Sequence, residues 1–184
     1  MNYIKNQKVI LLAISLVLIV SSGILAAETT FVSQAGLEGQ FDLEPVCGDK
    51  ILIEYDAVAK AEAIDGVMAF IGSDVVVSHW RDLAIISRMV EGFFDARDGG
   101  TYSAENVLAF VPGETYGFRY IIDMNAKTYD LFITTPEKTE VQIAKDYAFR
   151  TDAPVPGEIG KLFMRSQHGD GNVTVTNLKI TEIE

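Results

Sequence analysis

Tyr116-Gly-Phe118-Arg-Tyr120-Ile-Ile122-Asp123 decides the fold class. Its even positions are aromatic or branched aliphatic, while Arg119 and Asp123 fall on the other parity, the period of a strand with one face in a core. Asp123-Met-Asn125-Ala-Lys127 then supplies a turn, and Tyr129, Leu131 and Ile133 resume an apolar face. Thr115 to Thr134 therefore reads as an antiparallel hairpin. A second turn at Pro136-Glu-Lys138 leads into Val141 and Ile143.

Outward from this hairpin, short runs rich in Val, Ile, Tyr, Phe and Thr recur between Gly, Pro, Asn and Asp, with no sustained helical period. Strands are expected at Gly39 to Leu43, Lys50 to Ala57, Gly66 to Gly72, Asp82 to Met89 and Phe93 to Ala96. Further strands are expected at Thr115 to Met124, Thr128 to Thr134, Glu140 to Ala144, Lys161 to Arg165 and Asn172 to Ile183. Ile51-Leu-Ile53 and Leu83-Ala-Ile-Ile86 are apolar on both parities, which points to central strands covered on both sides. Alternation breaks near Thr176-Asn177, as at a bulge in a closing strand. The expectation is an all-β, two-sheet antiparallel sandwich with neither internal repeat nor inter-domain linker.

The first residues read differently. Lys5 and Lys8 precede an apolar run from Val9 to Val20, and Ser21, Ser22, Gly23, Ala26 and Ala27 follow. That order is a secretory signal over residues 1–27, with the sandwich domain over 28–184 and a secreted or cell-surface location. Val9 to Ala27 retained as a spanning helix is the alternative. With 26 acidic and 15 basic residues the net charge is −11, so nucleic acid and anionic membrane are disfavoured as partners, since both need clustered Lys and Arg. Acidic polysaccharides are disfavoured globally, unless a local Arg cluster overrides the mean field. Cys47 is the single cysteine, which excludes an intramolecular disulfide and a zinc ribbon.

The blocks IDGVMAF (Ile64 to Phe70), FFDARDGGTY (Phe93 to Tyr102), FVPGETYGFRYIIDMNAKTYDLFIT (Phe110 to Thr134) and DYAFRT (Asp146 to Thr151) occur in one order and spacing. Together they resemble the concanavalin A-like (laminin G-like) modules of exported bacterial proteins, often found beside carbohydrate-active domains. The resemblance implies a jelly roll and an association with glycans, and it names no sugar.

Candidate chemistry falls in four places. Glu54-Tyr-Asp56 resembles part of the E-x-D-x-x-E strand of retaining glucanases on this fold, which need paired carboxylates. Ala59 stands where the second glutamate belongs and Glu62 lies beyond it, so catalytic residues are not assigned. Arg88, Asp95, Arg97 and Asp98 could bind sugar hydroxyls while Tyr102 stacks on a pyranose, or they form an ion-pair network of Asp95 with Arg97 or Arg150. Trp80, between His79 and Arg81, is either a stacking platform or a loop anchor. Gly169-Asp170-Gly171-Asn172 resembles a fragment of a calcium loop, short of the ligand count of a full site.

The reading that follows is a non-catalytic glycan-binding or surface-interaction module without an obligate cofactor, its partner a polysaccharide or surface glycan. The rivals are a glycoside hydrolase or polysaccharide lyase on the same sandwich, and a module that binds other surface proteins. A lyase would draw on His79, His168, Arg88, Arg97 and Tyr102.

Overall fold

The computed structural model describes residues 29–33, 35–167 and 171–184. The leader reading for residues 1–27 lies outside them, as do His168, Gly169 and Asp170. The strands are β1 (Phe31–Val32), β2 (Glu38–Val46), β3 (Lys50–Ala59), β4 (Asp65–Ile71), β5 (Ile85–Val90) and β6 (Phe93–Asp98). They continue with β7 (Thr101–Ser103), β8 (Tyr116–Asp123), β9 (Thr128–Thr134), β10 (Glu140–Ala148), β11 (Ile159–Gln167) and β12 (Val173–Ile183).

They form two six-stranded sheets, ordered β1-β12-β3-β8-β9-β10 and β2-β11-β4-β5-β6-β7. Every ladder between these strands is antiparallel. The chain is an all-β jelly-roll sandwich. The β8–β9 hairpin pairs Tyr120 with Leu131 and Ile122 with Tyr129. Its turn is closed by the Asp123 carboxylate, which accepts from the Ala126 amide at 2.7 Å.

Strict alternation on β3, β8 and β9 sends Ile53, Tyr55, Phe118, Tyr120, Tyr129 and Leu131 into the space between the sheets. There they meet Met68, Phe70, Met89, Phe94 and Met164 from the opposite sheet. Tyr55 stacks on Phe118 at 4.7 Å, and Phe70 meets Tyr120 edge to face at 5.6 Å. Each fully buried aromatic or aliphatic side chain contributes about 1.5–3 kcal/mol of transfer free energy. The tyrosine hydroxyls stay paired in this dry core: Tyr120 Oη donates to Ser87 Oγ at 2.5 Å, and Tyr129 Oη reaches the Arg97 carbonyl at 2.6 Å. Burial raises all three core phenols, with Tyr120 pushed up to about 12 and Tyr55 and Tyr129 well above 10.0.

The two-sided apolar strands divide. Leu83 and Ile86 pack with Val67, Ala69, Ile71, Val75 and Phe163 in a second cluster on the outer face of the second sheet. The chain between β4 and β5 covers that face, so burial on both sides holds there. It fails for β3, where Ile51 and Ile53 are buried but Leu52 lies on the outer, partly exposed face. The strand expected from Asp82 starts at Ile85, because Trp80–Asp82 is a short 3-10 turn. Asp82 is held there by the Ser78 and His79 amides, each donating to its carboxylate at 2.8 Å. The amide bonds from Ser78 and His79 hold the Asp82 carboxyl below 3.8, against a smaller desolvation effect. Strands β1 and β7 are too short to carry a pattern and were not foreseen. The bulge is present: register shifts between Thr176 and Lys179, with Asn177 at φ 55°, a left-handed position that Asn tolerates.

Candidate functional site

The eight residues singled out in the sequence separate onto two faces. Arg88, Asp95, Arg97 and Tyr102 lie on the outer face of the second sheet, with Trp80 in the segment crossing it. Glu54 and Asp56 lie on the outer face of the first sheet, and Asp98 sits at the end of β6.

The Arg88 group is closed on itself. Arg88 and Asp95 are cross-strand partners, and the guanidinium meets the carboxylate bidentately, with Nε donating to Oδ1 at 2.8 Å. The ion pair is therefore Arg88 with Asp95, in place of the expected Arg97 or Arg150. Arg88 also lies 3.9 Å from the Asp65 carboxylate. Burial works against its charge, but the bonds and charge of Asp95, with Tyr102 and Asp65, outweigh that and raise Arg88 further. The Tyr102 ring is occupied too: the Arg88 guanidinium lies 3.6 Å from its centroid and that of Arg97 4.8 Å. Arg97 Nε donates to the Gly99 carbonyl at 2.9 Å, and the Asp98 carboxylate accepts from the Ala148 amide at 3.0 Å. Arg88 and Asp95 thus engage each other, while Arg97 and Asp98 each place one side-chain bond, to the β6–β7 turn and to β10.

The opposite face is open. Register places Asp56 beside Gly117, Gly117 beside Thr134 and Thr134 beside Glu140, one row across four strands. The neighbouring row runs Lys179, Glu54, Arg119 and Phe132. Between these rows lies a depression of ≈ 340 Å³ lined by Glu54, Asp56, Gly117, Arg119, Thr134, Glu140 and Asn177. It adjoins a second of ≈ 470 Å³ that shares Asp56, Gly117 and Thr134 and extends to Glu114, Thr135 and Lys138. The floor exists because Gly117 has no side chain; a Cβ there would stand 3.4 Å from Thr134 Cβ and 3.6 Å from Asp56 Oδ1.

The walls are fixed. Asn177, turned outward by the bulge in β12, donates to Asp56 Oδ2 at 2.7 Å. Arg119 donates bidentately to Glu140, at 3.0 Å and 2.7 Å, with its guanidinium 4.2 Å from the Phe132 centroid. Among the described residues Glu54 makes no ion pair. The groove thus presents carboxylate and hydroxyl acceptors beside amide and guanidinium donors, the mixture that recognises sugar hydroxyls.

A glucanase pair is incomplete here. Tyr55 between the two carboxylates points inward, as expected for a strand with a solvated outer face, and Ala59 is buried in the core. Glu62 lies against Gly92 at the β5–β6 turn, on the other sheet. Among the described residues no group of three His, Cys, Asp or Glu could hold a metal ion. Sequence reasoning did not select Gly117, Thr134, Glu140, Arg119 or Asn177 as site residues. Two signals pointed to them: the parity that turns Arg119 away from the core and the broken alternation at Asn177.

No family model matches the chain. A gellan lyase from a Bacillus species is 25% identical over 111 residues, which are 59% of this chain and 4% of that protein. The chain therefore spans a small fraction of that relative. Among solved structures, a sialidase superimposes with TM-score 0.56 at 9% identity, over 84% of this chain and 15% of that one. The lectin I-B4 from Griffonia simplicifolia, in a metal-free form, gives 0.52 at 10% identity over 78% of this chain and 80% of the lectin. A Lotus tetragonolobus seed lectin gives 0.51 at 8% over the same shares, 78% and 80%. At these identities the likeness is one of fold: the chain is a jelly-roll sandwich of the architecture shared by these lectins and by the superimposed part of the sialidase.

Proposed function

We propose that this chain is a non-catalytic glycan-binding module of an exported or cell-surface protein, belonging with the concanavalin A-like modules that its sequence blocks resemble. The observation that carries the reading is the groove over Gly117, where Asp56, Asn177, Thr134 and the Arg119–Glu140 pair converge on an open, polar floor. Sugars are bound by such planar, hydrogen-bonding groups held in place before the ligand arrives. The lectin-like fold supports the reading, as does the similarity to a small part of a protein named for acting on gellan. The signal-like residues 1–27 support export.

A glycan array spanning plant, algal, fungal and bacterial sugars tests it. Binding by the wild-type chain and loss of that binding in Asp56→Ala is the expected result. Silence across the whole array would remove the glycan reading and favour a protein-binding role.

One observation favours the enzyme rival: Glu54 and Asp56 share the groove. If the chain released reducing sugar from a β-glucan, and Glu54→Gln abolished the release, a glycoside hydrolase would replace the binding module. Accumulation of unsaturated sugar ends would indicate a lyase instead.

A further inference from the structure

The segment crossing the outer face of the second sheet bounds another depression, of ≈ 510 Å³, lined by Glu38, Ser78, His79, Trp80 and Arg81, within the size range of small-ligand clefts. Its floor is aromatic. Trp80 is half-buried, meets the buried Phe163 at 5.9 Å, and has the Arg165 guanidinium 4.9 Å from its ring centroid. The segment's tip is fixed because Asp82 accepts from the Ser78 and His79 amides and from Ser78 Oγ. The indole is therefore presented without a loop to order on binding.

The charges around it balance, Arg165 and Arg81 against Glu38 and Asp82, but not every one of them is paired. Arg165 is neutralised by Glu38 at 2.9 Å, and Asp82 is occupied by the segment's own donors. Arg81 is exposed and, among the described residues, makes no ion pair. Its guanidinium is the cation beside the indole that no carboxylate engages, whereas the Asp82 carboxylate keeps its charge and holds the segment's own donors.

We propose that this depression is a subsite for an anionic pyranose, a uronate or a sulfated sugar. The sugar's C–H face stacks on Trp80 while its carboxylate or sulfate pairs with Arg81. The assignment rests on reading the chain as a glycan-binding module, yet it lies on the opposite sheet from the Asp56 groove and is read out separately.

Trp80 is the sole tryptophan, so intrinsic fluorescence reports this depression directly. The full chain is titrated with a hexuronate oligosaccharide, with a sulfated oligosaccharide, and with the carboxyl-reduced neutral form of the first. Saturable quenching by at least one anionic ligand is expected, about two- to fivefold weaker for the neutral form and for Arg81→Ala. Added salt should weaken it, because the pair is exposed. Equal quenching by the neutral form, or unchanged quenching in Arg81→Ala, overturns the anionic assignment. No response to any ligand overturns the subsite; the groove reading then stands if the array shows Asp56-dependent binding and falls if the array is silent as well.

Discussion

Replacing Gly117 by valine fills the groove without disturbing the strand beneath it. A Cβ at this position would meet Thr134 Cβ at 3.4 Å and Asp56 Oδ1 at 3.6 Å, ordinary van der Waals contact, so the branched side chain projects outward over the floor. Removing a strand glycine recovers about 0.5–1 kcal/mol of backbone entropy. For a domain of this size that is a rise of about 2–4 °C in Tm per kcal/mol. Binding moves the other way, because a sugar hydroxyl held off Asp56 forfeits a charge-assisted hydrogen bond of about 1.5–3 kcal/mol, roughly ten- to a hundredfold in Kd. Thermal melting and titration of an array-identified glycan are measured on the same preparation. Unchanged affinity in Gly117→Val would refute the placement of the site. A large loss of stability would refute the outward direction assigned to this position.

Three further outcomes are expected. Tyr120→Phe leaves the buried Ser87 hydroxyl without its 2.5 Å partner, and urea titration should show a loss of about 1–3 kcal/mol. Alkali should unfold the chain in a definite window: the folded pKa of Tyr120 is raised from 10.0 to about 12, so the unfolded state ionises first. Stability is then full below pH 10.0 and falls as pH rises toward about 12. Tyr120 alone accounts for about 3 kcal/mol of that loss, and Tyr55 and Tyr129 add to it in the same direction; a flat stability curve through this window would count against a dry tyrosine core. In acid the sign reverses for Asp82, whose folded pKa is held below 3.8. The Trp80 segment should stay ordered down to that pH and loosen beneath it, seen as a red shift of Trp80 emission absent in Asp82→Ala, which lacks the acceptor and should already be red-shifted at neutral pH.

The fold was legible where its cause is local. Alternation through Tyr116 to Ile133 announces a hairpin because both strands bury one face, and the defect at Asn177 announces a bulge because it breaks the same pattern. The site was less legible because it depends on pairing between distant parts of the chain: β3 lies between β8 and β12, so Asp56 and Asn177 meet across 121 positions. No local pattern assigns Glu54 to one sheet and Arg88 to the other. Leu52 misled for a related reason, since an apolar residue on a partly exposed face looks the same in sequence as one that is covered. The Arg88–Asp95 pair is different in kind. It spans the tight turn at Glu91-Gly92, where both residues have positive φ, and counting outward from that turn places the two side chains opposite each other.

The most direct measurement is a map of backbone amide NMR shifts on adding the glycan that the array identifies. Shifts concentrated at Asp56, Gly117, Thr134 and Asn177 are expected. Shifts confined to Arg88, Asp95, Arg97 and Tyr102, with the first sheet silent, would contradict the groove as the sugar-binding face.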